Sequence, residues 1–262
     1  MKLGFSTLGC PGWSIAQAAD AARRFGYEGI ELRLYAGEVI TPALPTAARQ
    51  EIRVALADAG LAVVALDTSV QVAHSDPARA TAERATGVAM LELAAELGAP
   101  LIRVFGGGTS HAQAAESLAL LAAHGAPLGV QIALETHDAF SAGAQVAAAL
   151  DLAGPGPGAL WDLLHPCRVG ETPAQTLALL RDRLLLVHIK DGRPRANGGE
   201  PWDLTLLGDG AVPTPAILAA LHAAGYCGWL SVEWEKKWHP QLDDPEIALS
   251  QHADLLRAWL AR

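Results

Sequence analysis

Residues 159–166 read Ala-Leu-Trp-Asp-Leu-Leu-His-Pro, an apolar run that ends on a carboxylate with an imidazole three positions further on. Burial strips both groups of water, so Asp162 and His165 need a cation or a dense set of hydrogen bonds around them. Asp-x-x-His is a common spacing and carries little by itself. Three further segments repeat the theme: Leu-Glu-Thr-His (134–137), His-Ile-Lys-Asp (188–191) and Ser-Val-Glu-Trp-Glu (231–235). Side chains alternate along a strand, so Glu135 shares a face with His137, His188 with Lys190, and Glu233 with Glu235. Leu134, Ile189 and Val232 then point the other way. On neighbouring strands Glu135, Asp162, His188 and Glu233 would converge on one spot. Three carboxylates held together raise one another's pKa values unless a cation lies between them. One nitrogen and three oxygen donors suit a single divalent ion, Mn²⁺ first and Mg²⁺, Co²⁺ or Zn²⁺ as alternatives; without thiolates a structural zinc site is not expected.

The elements that must position these groups follow one pattern, repeated eight times: a short apolar run, an Ala/Leu-rich amphipathic segment, then Gly or Pro. The strand candidates are 2–7, 30–34, 62–69, 101–106, 130–137, 159–164, 184–191 and 229–235. Helices are expected between them, including 14–25, 81–97, 112–124 and 214–224, with Ser14 capping the first and Thr172-Pro173 opening the sixth. Strict alternation implies parallel strands with right-handed crossovers. Eight such units in 262 residues predict one domain, 1–262, folded as a (β/α)8 TIM barrel of eight parallel strands with outer helices. No Gly-x-Gly-x-x-Gly turn follows the first strand, which removes the dinucleotide-binding alternative.

Apolar residues make up 51% of the chain, enough for a sizeable core, but no run approaches the roughly 18 residues of a membrane span. The first residues form a strand rather than a signal peptide, so a cytoplasmic protein is expected. A net charge of −9 argues against a nucleic-acid partner. Cys10, Cys167 and Cys227 are an odd set without metal-ligand spacing and are expected to be free thiols. In the first half of the chain, Glu31, Arg33, Asp67 and Arg103 read as an ion-pair layer across the barrel. After the last strand, 235–240 is a basic and aromatic rim loop whose Trp238 can stack on a sugar.

With those segments in view, the chain resembles the xylose-isomerase-like sugar isomerase/epimerase superfamily, which also contains the apurinic-site endonucleases. The likeness runs from Gly-Phe-Ser-Thr (4–7) and Gly-Ile-Glu-Leu-Arg (29–33) to the last helix, and is most specific at Leu-Glu-Thr-His, Trp-Asp-x-x-His-Pro, His-Ile-Lys-Asp and Ser-Val-Glu-Trp-Glu. The resemblance implies that Glu135, Asp162, His188 and Glu233 hold one divalent metal, and that His165 and Arg193 bind substrate; His137, Lys190 and Trp238 join that substrate set. It also makes DNA repair improbable: the ends of strands three and four carry no imidazole, and no Asp-x-His follows strand seven.

The implied activity is proton abstraction next to a sugar carbonyl through an enediolate, with Glu135 and Glu233 as general base and general acid. Return of the proton to the opposite face gives epimerisation, and to the neighbouring carbon gives aldose–ketose isomerisation. A keto-sugar lyase with His137 or His165 as base, or a barrel that only binds sugar, are the alternatives. The expected partner is a small sugar, with no membrane and with homo-oligomerisation as the usual state of such barrels.

Overall fold

The structure is a computed structural model and describes residues 1–196 and 202–261. Eight strands close a barrel: β1 (Lys2–Ser6), β2 (Gly29–Leu32), β3 (Ala62–Gln71), β4 (Leu101–Phe105), β5 (Gln131–Glu135), β6 (Gly158–Asp162), β7 (Leu184–Ile189) and β8 (Trp229–Val232). All neighbouring pairs are parallel, and β1 meets β8 to complete the ring. This is the single (β/α)8 TIM barrel that the repeat predicts.

The main helices are α1 (Ile15–Phe25), α2 (Thr46–Asp58), α3 (Pro77–Leu97), α4 (His111–Gly125), α5 (Gly143–Ala153), α6 (Pro173–Leu180), α7 (Thr214–Ala223) and α8 (Pro245–Leu260). Their ends follow local chemistry. Ser14 accepts from the Gln17 backbone N–H and Gln17 answers in a capping box, while Gly26 at φ 75° ends the helix. Thr172 and Gln175 form the same box at the start of α6. The third helix begins four residues before its expected start, because Asp76 caps it and Pro77 fits the first helical position. Among the described residues, no helix is long and apolar enough to cross a membrane.

Two apolar layers hold the barrel. The outer one lies between strands and helices and contains Phe5, Ile30, Leu66, Ile102, Leu134, Trp161, Val187, Ile189 and Val232. The inner one is a six-residue floor of Val64, Ala65, Leu101, Ala133, Leu160 and Leu186. Full burial contributes roughly 1.5–3 kcal/mol per large aliphatic side chain, so the more extensive outer layer dominates stability. The floor matters for position. Two residues beyond Ala65, Leu101, Ala133, Leu160 and Leu186 come Asp67, Arg103, Glu135, Asp162 and His188, all 0–1% exposed. The same alternation that puts the floor inside therefore puts a buried polar layer directly above it.

Seven of the eight strands stop earlier than their expected ends at the carboxyl face, and β3 instead runs two residues further, to Gln71. His137, Lys190, Glu233 and Glu235 lie past the last strand residues, although the Glu233 N–H still donates to Ile189 O at 3.1 Å. His165 sits on a five-residue helix, Leu164–Arg168, behind β6. The segment containing Arg193 is a short antiparallel hairpin, Asp191–Arg193 against Asp203–Thr205, rather than a plain loop. Cys10, Cys167 and Cys227 are free thiols.

Candidate metal centre

The ends of β5, β6 and β7 and the residue after β8 bring Glu135, Asp162, His188 and Glu233 together. Each offers one ligand atom, and these atoms all lie within 4.8 Å of one another. His188 Nε2 is 2.7 Å from Glu31 Oε1, a bond that keeps a proton on Nε2, so that in the neutral ring the Nδ1 lone pair is the one available as a ligand. Nδ1 faces Glu233 Oε2 at 3.5 Å and Glu135 Oε1 at 3.8 Å. His188 Nδ1 is buried without a hydrogen-bond partner, while Asp162 Oδ2 and Glu135 Oε2 are buried in ionic contact with Lys190 and Arg103. An orphaned ring nitrogen inside a closed barrel is costly, and this one is a ligand atom of the quartet. The residues fit a divalent ion, with Glu31 as the outer carboxylate that orients a ligand imidazole.

Charge is compensated in part by two basic side chains. Lys190 Nζ lies 2.8 Å from Asp162 Oδ2 and 2.6 Å from Glu235 Oε1, and also contacts Glu233. Arg103 Nε lies 3.2 Å from Glu135 and 3.6 Å from Asp67, its guanidinium 3.9 Å from the centroid of the Phe105 ring. Burial acts against ionisation of Glu135 and Glu233, yet Arg103 together with His188 outweighs it at Glu135, and Lys190 with His188 holds Glu233 well below the usual carboxylate range. At Asp162 burial wins over Lys190 and lifts the carboxyl to about 6. Burial also lowers His188, but Glu31 and Glu233 more than reverse it, so His188 lies well above the ordinary imidazole value.

Of the substrate residues expected from sequence, His137, Lys190 and Trp238 line one cleft with Glu135, Glu233, Glu235, Arg33 and Arg103. Its volume is about 70 Å³. The His165 ring packs edge-on to His137 at 4.6 Å, one layer behind, and burial keeps it neutral, well below the ordinary value. Arg193 is exposed on the hairpin. Lys190 is committed to carboxylates rather than standing free for substrate.

The ion-pair layer expected from the first half of the chain is divided. Arg103 and Asp67 do pair, but Glu31 reaches across to His188 and Ser231, and among the described residues Arg33 has no acid at contact distance. Glu31 is therefore a site residue that strand alternation alone did not single out; its inward parity on β2 was the available signal. Asp191 is another. Its carboxylate accepts from the backbone N–H groups of Gly192, Gly208, Gly210 and Val212 at 2.8–3.1 Å, pinning the segment that follows His188 and Lys190.

The match to a family model settles the affiliation: residues 19–259 fit the xylose isomerase-like TIM barrel. The chain belongs to that family. No curated protein matches it by sequence. Among solved structures, this xylose isomerase-like barrel is similar to the IOLI protein with a bound zinc atom, at TM-score 0.83 and 18% identity over 100% of this chain and 98% of the other. It is similar to the D-allulose 3-epimerase of Methylomonas sp., at 0.79 and 19% over 99% and 98%. It is also similar to the probable 3-DHS dehydratase AsbF of Bacillus anthracis, at 0.78 and 18% over 98% and 99%. At these identities the likenesses establish the fold.

Proposed function

We propose that this xylose isomerase-like barrel is a divalent-metal-dependent sugar isomerase or epimerase that moves a proton next to a carbonyl. The observation that carries the reading is the buried quartet, whose four ligand atoms lie within 4.8 Å of one another and whose His188 Nδ1 has no hydrogen-bond partner. A divalent ion held there, Mn²⁺ by the hardness of three carboxylates, would polarise the carbonyl and stabilise the charge left by proton loss. Glu135, kept ionised by Arg103, is the general base. Glu233 takes the general-acid role, for which it must first take up a proton against the Lys190 ammonium and His188 that hold it ionised. His137, His165, Arg193 and Trp238 are the residues we assign to the substrate. A sugar is the substrate class favoured by kinship: the Methylomonas epimerase has been solved in complex with D-allulose.

A second reading is a lyase, in which the same proton abstraction is followed by elimination. Two observations favour it: the dehydratase among the similar structures, and a neutral, buried His165 whose Nε2 has no partner and lies 3.8 Å from Asp162. Incubation of the Mn²⁺-loaded protein with keto-sugars in D₂O, followed by NMR, tests both. Hydrogen exchange at the carbon beside the carbonyl, abolished in Asp162→Asn, is the expected result. Loss of water or an aglycone selects the lyase, and an inert panel of sugars with the ion bound would leave only a sugar-binding barrel.

A further inference from the structure

Three basic side chains line the cleft above the quartet: Arg33, Arg103 and Lys190. Two have acidic partners at contact distance. Arg33 does not. Its guanidinium donates to the Asp67 carbonyl oxygen at 3.2 Å and to Ser69 Oγ at 3.0 Å, and no carboxylate among the described residues comes within 4.0 Å. The residue is only 6% exposed, and its Nε is buried without a partner. Arg103 lines the same cleft and has a buried, unpartnered Nη1. A buried guanidinium without a carboxylate at contact distance is unfavourable; Arg103 nearby makes this worse, and Asp67, Glu233 and Glu135 offset it only from further away.

We infer that Arg33, with Arg103 beside it, forms an anion subsite, and that the substrate of this centre carries a carboxylate a short carbon chain away from its carbonyl. The inference rests on the proposed metal-centred proton transfer, which it narrows from sugars in general to sugar acids. Guanidinium N–H groups match a planar carboxylate. A phosphate also pairs with guanidinium groups, but it is bulkier, and a cleft of about 70 Å³ favours the smaller planar acid. Arg33 lies beside Glu135 and Glu233 in this cleft, so the acid group and the reacting carbon occupy one small space.

Calorimetric titration of the Mn²⁺-loaded protein with the keto acid D-fructuronate, D-fructose and D-fructose 6-phosphate tests this. The keto acid is expected to bind at least tenfold tighter than the neutral ketose, with the advantage shrinking as salt rises. Arg33→Gln is expected to erase that advantage at unchanged metal content, and Arg33→Lys to keep part of it. Equal or weaker binding of the keto acid, no binding of any of the three, or a preference that survives Arg33→Gln would overturn the subsite. Tighter binding of the sugar phosphate would overturn the carboxylate. The wild-type ratio decides the matter even if Arg33→Gln does not fold. Metal content of wild type against Asp162→Asn, measured on the same preparations, judges the metal centre separately: an ion bound through Asp162 without acid preference sinks only the subsite.

Discussion

Glu31 and His188 stand 157 residues apart in the chain and 2.7 Å apart in the barrel. The order β2-β1-β8-β7 puts two strands between them, so the bond crosses the polar layer rather than joining neighbours. Its consequence is chemical: by accepting a hydrogen bond from Nε2–H, Glu31 fixes the tautomer in which Nδ1 can act as a ligand.

Removal of that orienting carboxylate has a predictable cost. Glu31→Gln keeps the size but not the charge, and is expected to weaken divalent-ion binding by roughly 10–100-fold while leaving all four ligands in place. Competition against a chelator of known affinity measures it. An unchanged affinity would mean that His188 is oriented by something else.

Lys190 is the internal cation of the site, so Lys190→Met leaves Asp162, Glu233 and Glu235 facing one another. Breaking a buried pair on one side costs about 3–5 kcal/mol, and the ion-free variant is expected to melt correspondingly lower. Added Mn²⁺ should restore most of that loss, and should bind more tightly than in wild type, because ion and ammonium compete for the same oxygens. Thermal melts with and without metal give both signs at once.

Protons compete with the ion for the same atoms. His188 must shed its proton at Nδ1 to coordinate, and its pKa lies well above 6.5 because Glu31 and Glu233 outweigh burial. Asp162, lifted by burial, takes up a proton near pH 6. Affinity is therefore expected to decline already above pH 6.5 and more steeply below about 6, by roughly tenfold per pH unit for each proton displaced. Titrations between pH 5 and 8.5 check the slope; a flat profile would remove His188 from the ligand set.

A different histidine sets the acid limit of the fold. His252 is buried in α8, its Nδ1 2.6 Å from Ala248 O and its ring against Trp234, and burial lowers it from 6.5 to about 4. The folded chain keeps it neutral while the unfolded chain protonates below 6.5. Its stabilising contribution is thus complete above pH 6.5 and lost as the pH falls toward 4, a total of about 3 kcal/mol. Denaturant melts of wild type and His252→Gln are expected to converge over that window.

Much of the architecture and of the quartet was legible in the chain. Alternation is local: a residue two positions beyond a floor residue points inward whatever the rest of the barrel does, so Glu135, Asp162 and His188 could be assigned to one face from Leu-Glu, Trp-Asp and Val-His alone. Gly and Pro punctuation marked the helices for the same reason, since capping and φ restriction act within a few residues. The ends of the strands were less legible, because a ladder stops where the partner strand stops, and that is a property of two segments.

What only the tertiary structure decided is which inward groups meet. Closure of β1 on β8 brings the first half of the chain over the second, and that closure turned Glu31 from one member of an ion-pair layer into the partner of His188. Neighbouring strands gave Lys190 to Asp162, Glu233 and Glu235 and Arg103 to Asp67 and Glu135, and among the described residues left Arg33 without an acid at contact distance. Parity along a strand says that a charge faces inward; distance across the barrel says which opposite charge it finds. Coulomb energy depends on the second quantity, and no spacing in the sequence encodes it.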